Sequence, residues 1–223
     1  MKVRRPQSAF TLIEVLAALF LFSLLTLGVS SSVREISKLS SRIKMRQATV
    51  VSGITAFDRL QRDLRMAFNE RLQKSVSWFE SDNTSQGPDL KFTAWESPTL
   101  LLFTQRTPGL AAIRYWLEKA DDGTMNLMRS QVEINRAEDL EKQPPEVVGQ
   151  GIVKFELEFY QGNTGQWLKS WDSKQSTTTG LFPRAVRIRL NSVDPLVPEA
   201  DRKDKTLHLE TVVLVLNEWE DRN

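Results

Sequence analysis

The strongest constraint on this 223-residue chain is a run of nineteen residues, Val15 to Val33, without one charged side chain. About 20 apolar residues wound as a helix cross a bilayer. Lys2, Arg4 and Arg5 stand before the run, so the preference for positive charge on the cytoplasmic side leaves the N-terminus inside and carries the bulk of the chain across. Glu14 interrupts the apolar segment that opens at Phe10. A carboxylate in hydrocarbon costs about 2.5–3.5 kcal/mol on insertion scales, which makes an intramembrane Glu a functional residue by default.

Three readings compete for this segment. A secretory signal peptide has an apolar centre of roughly 7–15 residues and a small-residue cleavage site after it. Here the run is longer, and Ser30-Ser31-Ser32 is a weak version of such a site. A plain signal anchor accounts for the run but not for Glu14. The third reading accounts for both. The stretch Ser8-Ala9-Phe10-Thr11-Leu12-Ile13-Glu14-Val15 resembles the processing site of type IV prepilins and type II secretion pseudopilins. The resemblance implies that a prepilin peptidase cuts between Ala9 and Phe10, that Phe10 is then N-methylated, and that Glu14 becomes the fifth mature residue. The family usually has Gly before the cut; this chain has Ala9, another small residue. Such a cut creates an α-amino group at Phe10. In a bundle of these helices, Glu14 of one subunit can pair with a neighbour's N-terminal ammonium, which removes most of the cost of a lone buried charge. The rival account is that Glu14 snorkels to the nearby interface.

Net charge bears on partners. The chain holds 30 Lys and Arg and 28 Asp and Glu; three of the former and one of the latter precede Arg34, leaving 27 of each sign in residues 34–223. A neutral domain offers no phosphate-wide attraction, so nucleic acid is not an expected partner. With no cysteine, disulfides, Cys-ligated zinc, Fe–S clusters and thiol nucleophiles are excluded.

Beyond Val33, apolar residues recur at Ile36, Leu39, Ile43, Val50, Ile54, Phe57, Leu60, Leu64, Phe68 and Leu72. Steps of three, four and seven mark one stripe of an amphipathic helix, a packing face. Its opposite face is rich in Arg and Lys, with Asp58 and Asp63 among them. Ser81–Asp89 reads as a loop by composition. Strand-like runs follow at Leu90–Trp95, Thr99–Gln105, Ala112–Lys119, Met125–Val132, Gly151–Tyr160, Ala185–Leu190 and Thr206–Leu216, with Asp121-Asp122-Gly123 as a hairpin turn. In Gly151–Tyr160, Val153, Phe155, Leu157 and Phe159 alternate with Lys154, Glu156, Glu158 and Tyr160. The expected fold class is α+β: a long N-terminal helix, transmembrane then amphipathic, packed on an antiparallel β-sheet domain, the pseudopilin fold. The expected divisions are a leader (1–9), a transmembrane helix (10–33), an amphipathic helix (34–72) and a periplasmic β-rich domain (73–223).

The second half narrows the family. Gly151 to Tyr160, then Trp167 and Trp171, then Leu181-Phe182-Pro183-Arg184-Ala185-Val186 leading into a strand, resemble the order found in minor pseudopilin J of the type II secretion system. Asp58 to Arg65 resembles the end of that family's long helix, while residues around 120–148 match it poorly. Trp167 and Trp171 are expected as core anchors. The resemblance implies a non-catalytic inner-membrane subunit, with its soluble domain in the periplasm, at the tip of a short pseudopilus that supports protein secretion. It also implies partners: the I and K minor pseudopilins, with H linking to the major pseudopilin, besides the prepilin peptidase. A minor pilin of a type IV pilus or DNA-uptake apparatus, or an anchored module that binds secreted cargo, are the alternatives.

Catalytic signatures are missing from the sequence. The one histidine, His208, falls in a strand-like run, with no second His or Cys to complete a metal site or a nucleophile–base pair. Gly149-Gln150-Gly151 is too short for a dinucleotide fingerprint. Asp194, Glu199, Asp201 and Asp204 crowd one loop, where oxygen ligands would suit calcium; with Arg202 and Lys203 among them, solvated acids are the plainer reading. No cofactor is implied.

Overall fold

The computed structural model describes residues 12–69, 77–95, 109–174, 181–194, 200, 202 and 205–215. The chain divides into two compact units, Met1–Arg46 and Gln47–Asn223. Helix α1, Leu12–Arg65, contributes to both. In the first unit it is an apolar rod whose described side chains are nearly all exposed, Leu16, Phe20, Leu24 and Leu27 among them. Three of its hydroxyl groups bond back to the helix: Ser23 Oγ donates to the Phe20 carbonyl (2.7 Å), Thr26 Oγ1 to the Phe22 carbonyl (2.8 Å) and Ser32 Oγ to the Gly28 carbonyl (3.1 Å). Polar side chains that bond back to their own helix can lie in hydrocarbon without an orphaned donor.

The second unit is a curled antiparallel sheet on which the last turns of α1 pack. The strands are β1 (Phe79–Thr84), β2 (Gly87–Trp95), β3 (Leu110–Lys119), β4 (Met125–Glu133), β5 (Glu146–Gln161), β6 (Gln166–Leu168), β7 (Trp171–Asp172), β8 (Ala185–Ser192) and β9 (Leu207–Leu214), with a 3-10 helix at Ile134–Asp139. Their order is β7-β1-β2-β3-β4-β5-β8-β9, and β6 pairs with β5. Period-two alternation sets the two faces. Phe155, Leu157 and Phe159 sit opposite Leu190, Ile188 and Val186 on the inner face, while Glu156 and Glu158 face Arg189 and Arg187 on the outer one. The curl brings β1 over β5: Phe79 packs at 5.7 Å between ring centroids from Phe159, 5.6 Å from Phe92 and 5.4 Å from Phe182.

Close backbone approach seats the helix. Ala56, Phe57, Leu60, Leu64 and Ala67 are buried against the sheet. A Cβ on Gly53 would stand 2.5 Å from Ser192 Oγ, and one on Gly149 would stand 2.7 Å from Ala56 Cβ. Gly149 and Gly151, instead of binding a nucleotide, belong to β5 where its register against β4 and β8 is irregular, and Gly151 has φ 69°. Glycine adopts that left-handed conformation without a steric cost.

Three elements differ from the sequence pattern. Ser81–Asp89 is not a loop: it belongs to the β1–β2 hairpin, closed by a turn in which Thr84 Oγ1 donates to the Gly87 carbonyl at 2.7 Å and Gly87 has φ 135°. The apolar stripe continues to Leu72, yet α1 ends at Arg65. There the chain joins the sheet instead: Phe68 N–H donates to the Thr93 carbonyl (3.0 Å), Trp95 N–H donates to Met66 (2.9 Å), and Ala67 pairs with Ala94. Ile54, a stripe residue, is 42% exposed, and Asp63, assigned by pattern to the charged outer face, is buried. The expected strand Thr99–Gln105 lies outside the described residues.

Gly149→Ala should destabilise the domain by about 1–3 kcal/mol through overpacking against Ala56. Ala56→Gly removes the opposing Cβ. In urea titrations the double variant should therefore be more stable than the two single losses summed; strict additivity would show that the helix and β5 do not meet there.

Candidate functional site

Ala9 and Phe10 lie outside the described residues. Glu14 sits in the first turn of α1, exposed and surrounded by exposed apolar side chains. Leu12–Ile36 is long and apolar enough to cross a membrane, and none of it is buried in the fold. Such a surface is costly in water, and its natural solvent is lipid or other helices.

The second unit holds a buried polar cluster that the sequence pattern missed. Asp63 of α1, Tyr115 of β3 and Arg129 of β4 are all nearly inaccessible. Tyr115 Oη donates to Asp63 Oδ2 at 2.7 Å, and Arg129 Nε donates to the same oxygen at 2.8 Å. Arg129 Nη2 donates to Gln131 Oε1 at 2.5 Å. Arg59 Nε lies 3.7 Å from the other carboxylate oxygen. Tyr115 and Arg129 are register partners on the inner face, so an arginine at an inward position of a buried strand was the available signal: it requires a carboxylate opposite. Burial first, then the charge of Asp63, push the Tyr115 hydroxyl well above the usual phenol range, with Arg129 opposing.

The outer face carries a lattice of ion pairs across β5, β8 and β9. Arg187 pairs with Glu158. Arg189 pairs with Glu210 at 3.0 Å and Glu158 at 3.3 Å, and approaches Glu156 at 3.9 Å. The Arg187 guanidinium lies 4.1 Å over the Trp167 ring, which also packs at 5.2 Å on Tyr160. Trp167 is therefore a half-buried surface residue rather than the core anchor expected. Trp171 is core: it is 3% exposed, and its Nε1 donates to the Leu181 carbonyl at 3.0 Å. Phe182, next in that motif, packs on Phe79. The order Trp…Leu-Phe-Pro-x-Ala-Val thus has a structural reason. It closes the curl of the sheet.

His208 is an exposed face residue of β9, opposite Asn191. In the Asp121-Asp122-Gly123 turn, Asp122 accepts from Thr124 Oγ1 (2.6 Å) and Thr124 N–H (2.9 Å); the hydroxyl bond, against burial, holds its carboxyl below the usual range. Glu199, Asp201 and Asp204 lie outside the described residues, and among those described no acidic or His cluster is arranged to hold a metal.

An apolar N-terminal helix opening with Glu14, continued onto a curled antiparallel sheet, defines a prepilin-like protein, and residues 4–30 match the prokaryotic N-terminal methylation motif. Residues 31–195 match the family described as type II secretion system (T2SS), protein J. The chain belongs to that family and is a pseudopilin of type II secretion. No individually curated protein matches it. The family is structural rather than catalytic and associates with other pseudopilins of the system.

Asp63→Ala should cost about 3–5 kcal/mol, because it leaves Arg129 buried without its carboxylate. Tyr115→Phe should cost about 1.5–3 kcal/mol, a hydrogen bond to a charged group. A phenol raised in the fold from its unfolded value of about 10 contributes its stability in full below that pH and loses it as pH rises through the folded value. Thermal melts of the wild type should fall steeply above about pH 10, and Tyr115→Phe should flatten that fall. An unchanged alkaline slope would contradict the assignment.

Proposed function

We propose that this chain is a non-catalytic minor pseudopilin at the tip of the type II secretion pseudopilus. It sits in the inner membrane through one helix, with its sheet domain in the periplasm, and supports protein export across the outer membrane. The observation that carries the reading is the protein J match over residues 31–195, joined to a membrane-length helix that begins beside Glu14. Its neighbours are the I and K minor pseudopilins, with H connecting to the major pseudopilin. A prepilin peptidase cuts between Ala9 and Phe10 and the new terminus is methylated, a reading supported by the methylation motif over residues 4–30.

Assembly then has a physical basis. Apolar helices lying side by side exchange lipid contacts for close packing. Glu14 of one subunit meets the Phe10 ammonium of the next, so that neither charge lies bare in hydrocarbon.

Intact-mass measurement on protein purified from membranes should show loss of the first nine residues and gain of one methyl group at Phe10; an intact Met1 in the assembled protein sinks the processing claim. Glu14→Ala and Glu14→Gln should both be cleaved and inserted normally, because the cut site and apolar run are untouched. Both should lose co-purification of the neighbouring pseudopilins and impair secretion, since an uncompensated buried ammonium costs several kcal/mol. If Glu14 only snorkels, both variants assemble and secrete as the wild type does.

A further inference from the structure

We infer that the edge of β9 away from β8, which pairs with no other strand among the described residues, is a docking site for an extended strand of a partner protein, one that sets a basic residue beside Glu210 and apolar residues beside Val212 and Leu214. The inference deepens the assembly reading and rests on it for the partner's being a neighbouring subunit. The two ends of the sheet differ. At one, β7 is two residues long, Trp171–Asp172. At the other, β9 runs eight residues, Leu207–Leu214, and among the described residues it pairs with β8 alone. Sheet edges are normally blunted by short strands, Lys, Pro or bulges. β9 contains neither Lys nor Pro, and its register against β8 is unbroken.

The direction of its N–H groups follows from its neighbours. Val215 N–H donates to the Arg184 carbonyl at 3.0 Å. By strand alternation Val213 and Thr211 also point into the sheet, and Leu214, Val212 and Glu210 present their N–H groups outward.

The side chains say what belongs there. Outer-face rows cross the sheet in register: Trp167–Tyr160–Ala185–Leu214, then Glu158–Arg187–Val212, then Glu156–Arg189–Glu210. The first ends on Leu214, 64% exposed, and the second on Val212, 47% exposed. The third alternates acid, base, acid, and its last member, Glu210, keeps 57% of its side chain accessible after meeting Arg189 at 3.0 Å and Arg187 at 3.9 Å. The next strand completes that alternation with a cation and extends the other rows with apolar groups. A second copy of β9 does not fit: it has no Lys or Arg to set beside Glu210, and the register centred on Glu210 would oppose two carboxylates.

The test uses full-length protein in detergent micelles and a capped, labelled peptide, Thr-Val-Thr-Val-Thr-Lys-Thr, which in antiparallel register sets Val, Val and Lys beside Leu214, Val212 and Glu210. Fluorescence anisotropy should show binding, about fivefold weaker when the peptide's Lys is replaced by Glu. Glu210→Lys should reverse that preference. Val212→Pro removes one outward N–H while keeping every bond to β8, so it should melt like the wild type and lose both peptides. Absence of binding, equal affinity for the Lys and Glu peptides, or full binding by a folded Val212→Pro protein would overturn the inference. None of these results bears on cleavage, co-purification or secretion, which test the assembly reading separately.

Discussion

A carboxylate and a guanidinium taken out of water together tolerate little misplacement, and the Asp63–Arg129 pair, with Tyr115 on the same oxygen, sets how α1 meets the sheet. Separating the pair would strand a charge in a site with almost no access to solvent. The helix therefore has one favourable rotation and one favourable height on the inner face. With Asp63 fixed, Leu60 and Leu64 fall on the core, Ala56 falls on Gly149, and Gly53 falls on Ser192. An all-apolar contact of the same area would stabilise comparably without any charge to place. The small residues do the complementary work, bringing the helix backbone close enough for the short carboxylate to reach the strands.

The sheet then separates two kinds of chemistry. Its inner face is a continuous apolar core, closed by the Phe79, Phe159, Phe182 and Trp171 cluster. Part of its outer face, over β3 and β4, is covered by the 3-10 segment through Ala112, Val132 and Leu140. The rest, over β5, β8 and β9, carries the Glu–Arg lattice with Trp167 and Tyr160 beside it. Exposed ion pairs of this kind add little stability one by one. Their consequence is order: long Arg side chains pinned by carboxylates and an indole present a fixed pattern, so a partner meeting this face has less side-chain freedom to remove.

Much of this was legible in the sequence, and the misses have physical causes. The apolar run, the stripe through Phe57, Leu60 and Leu64, and the alternation in Gly151–Tyr160 each carry a local period that survives into the fold. The β1–β2 hairpin was hidden because Asp82, Asn83 and Thr84 are exposed and polar. That strand is held by main-chain pairing and by Phe79, not by alternation. β6 and β7 are too short to show a period, so the two tryptophans looked alike although one faces the core and the other the surface. Asp63 was misassigned because helix charge patterns speak only for neighbours within a turn, and its partner Arg129 is 66 residues away. Ala9, Phe10 and Glu14 are the reverse case. Their meaning lies in a short local motif, and the fold of a single chain adds only that Glu14 opens an exposed apolar helix.

The charge balance bears on how such a subunit finds its place. With 27 charges of each sign beyond Val33, the domain projects little field past the screening length of about 8 Å at physiological salt, so long-range steering contributes little to encounter. A helix confined to a membrane reduces the need for it. Anchoring two partners in one bilayer makes their meeting effectively intramolecular, with a local concentration no soluble encounter would reach. Under those conditions the difficulty is discrimination among many similar apolar helices, not speed. Discrimination then falls to short-range features that are wrong in any other register.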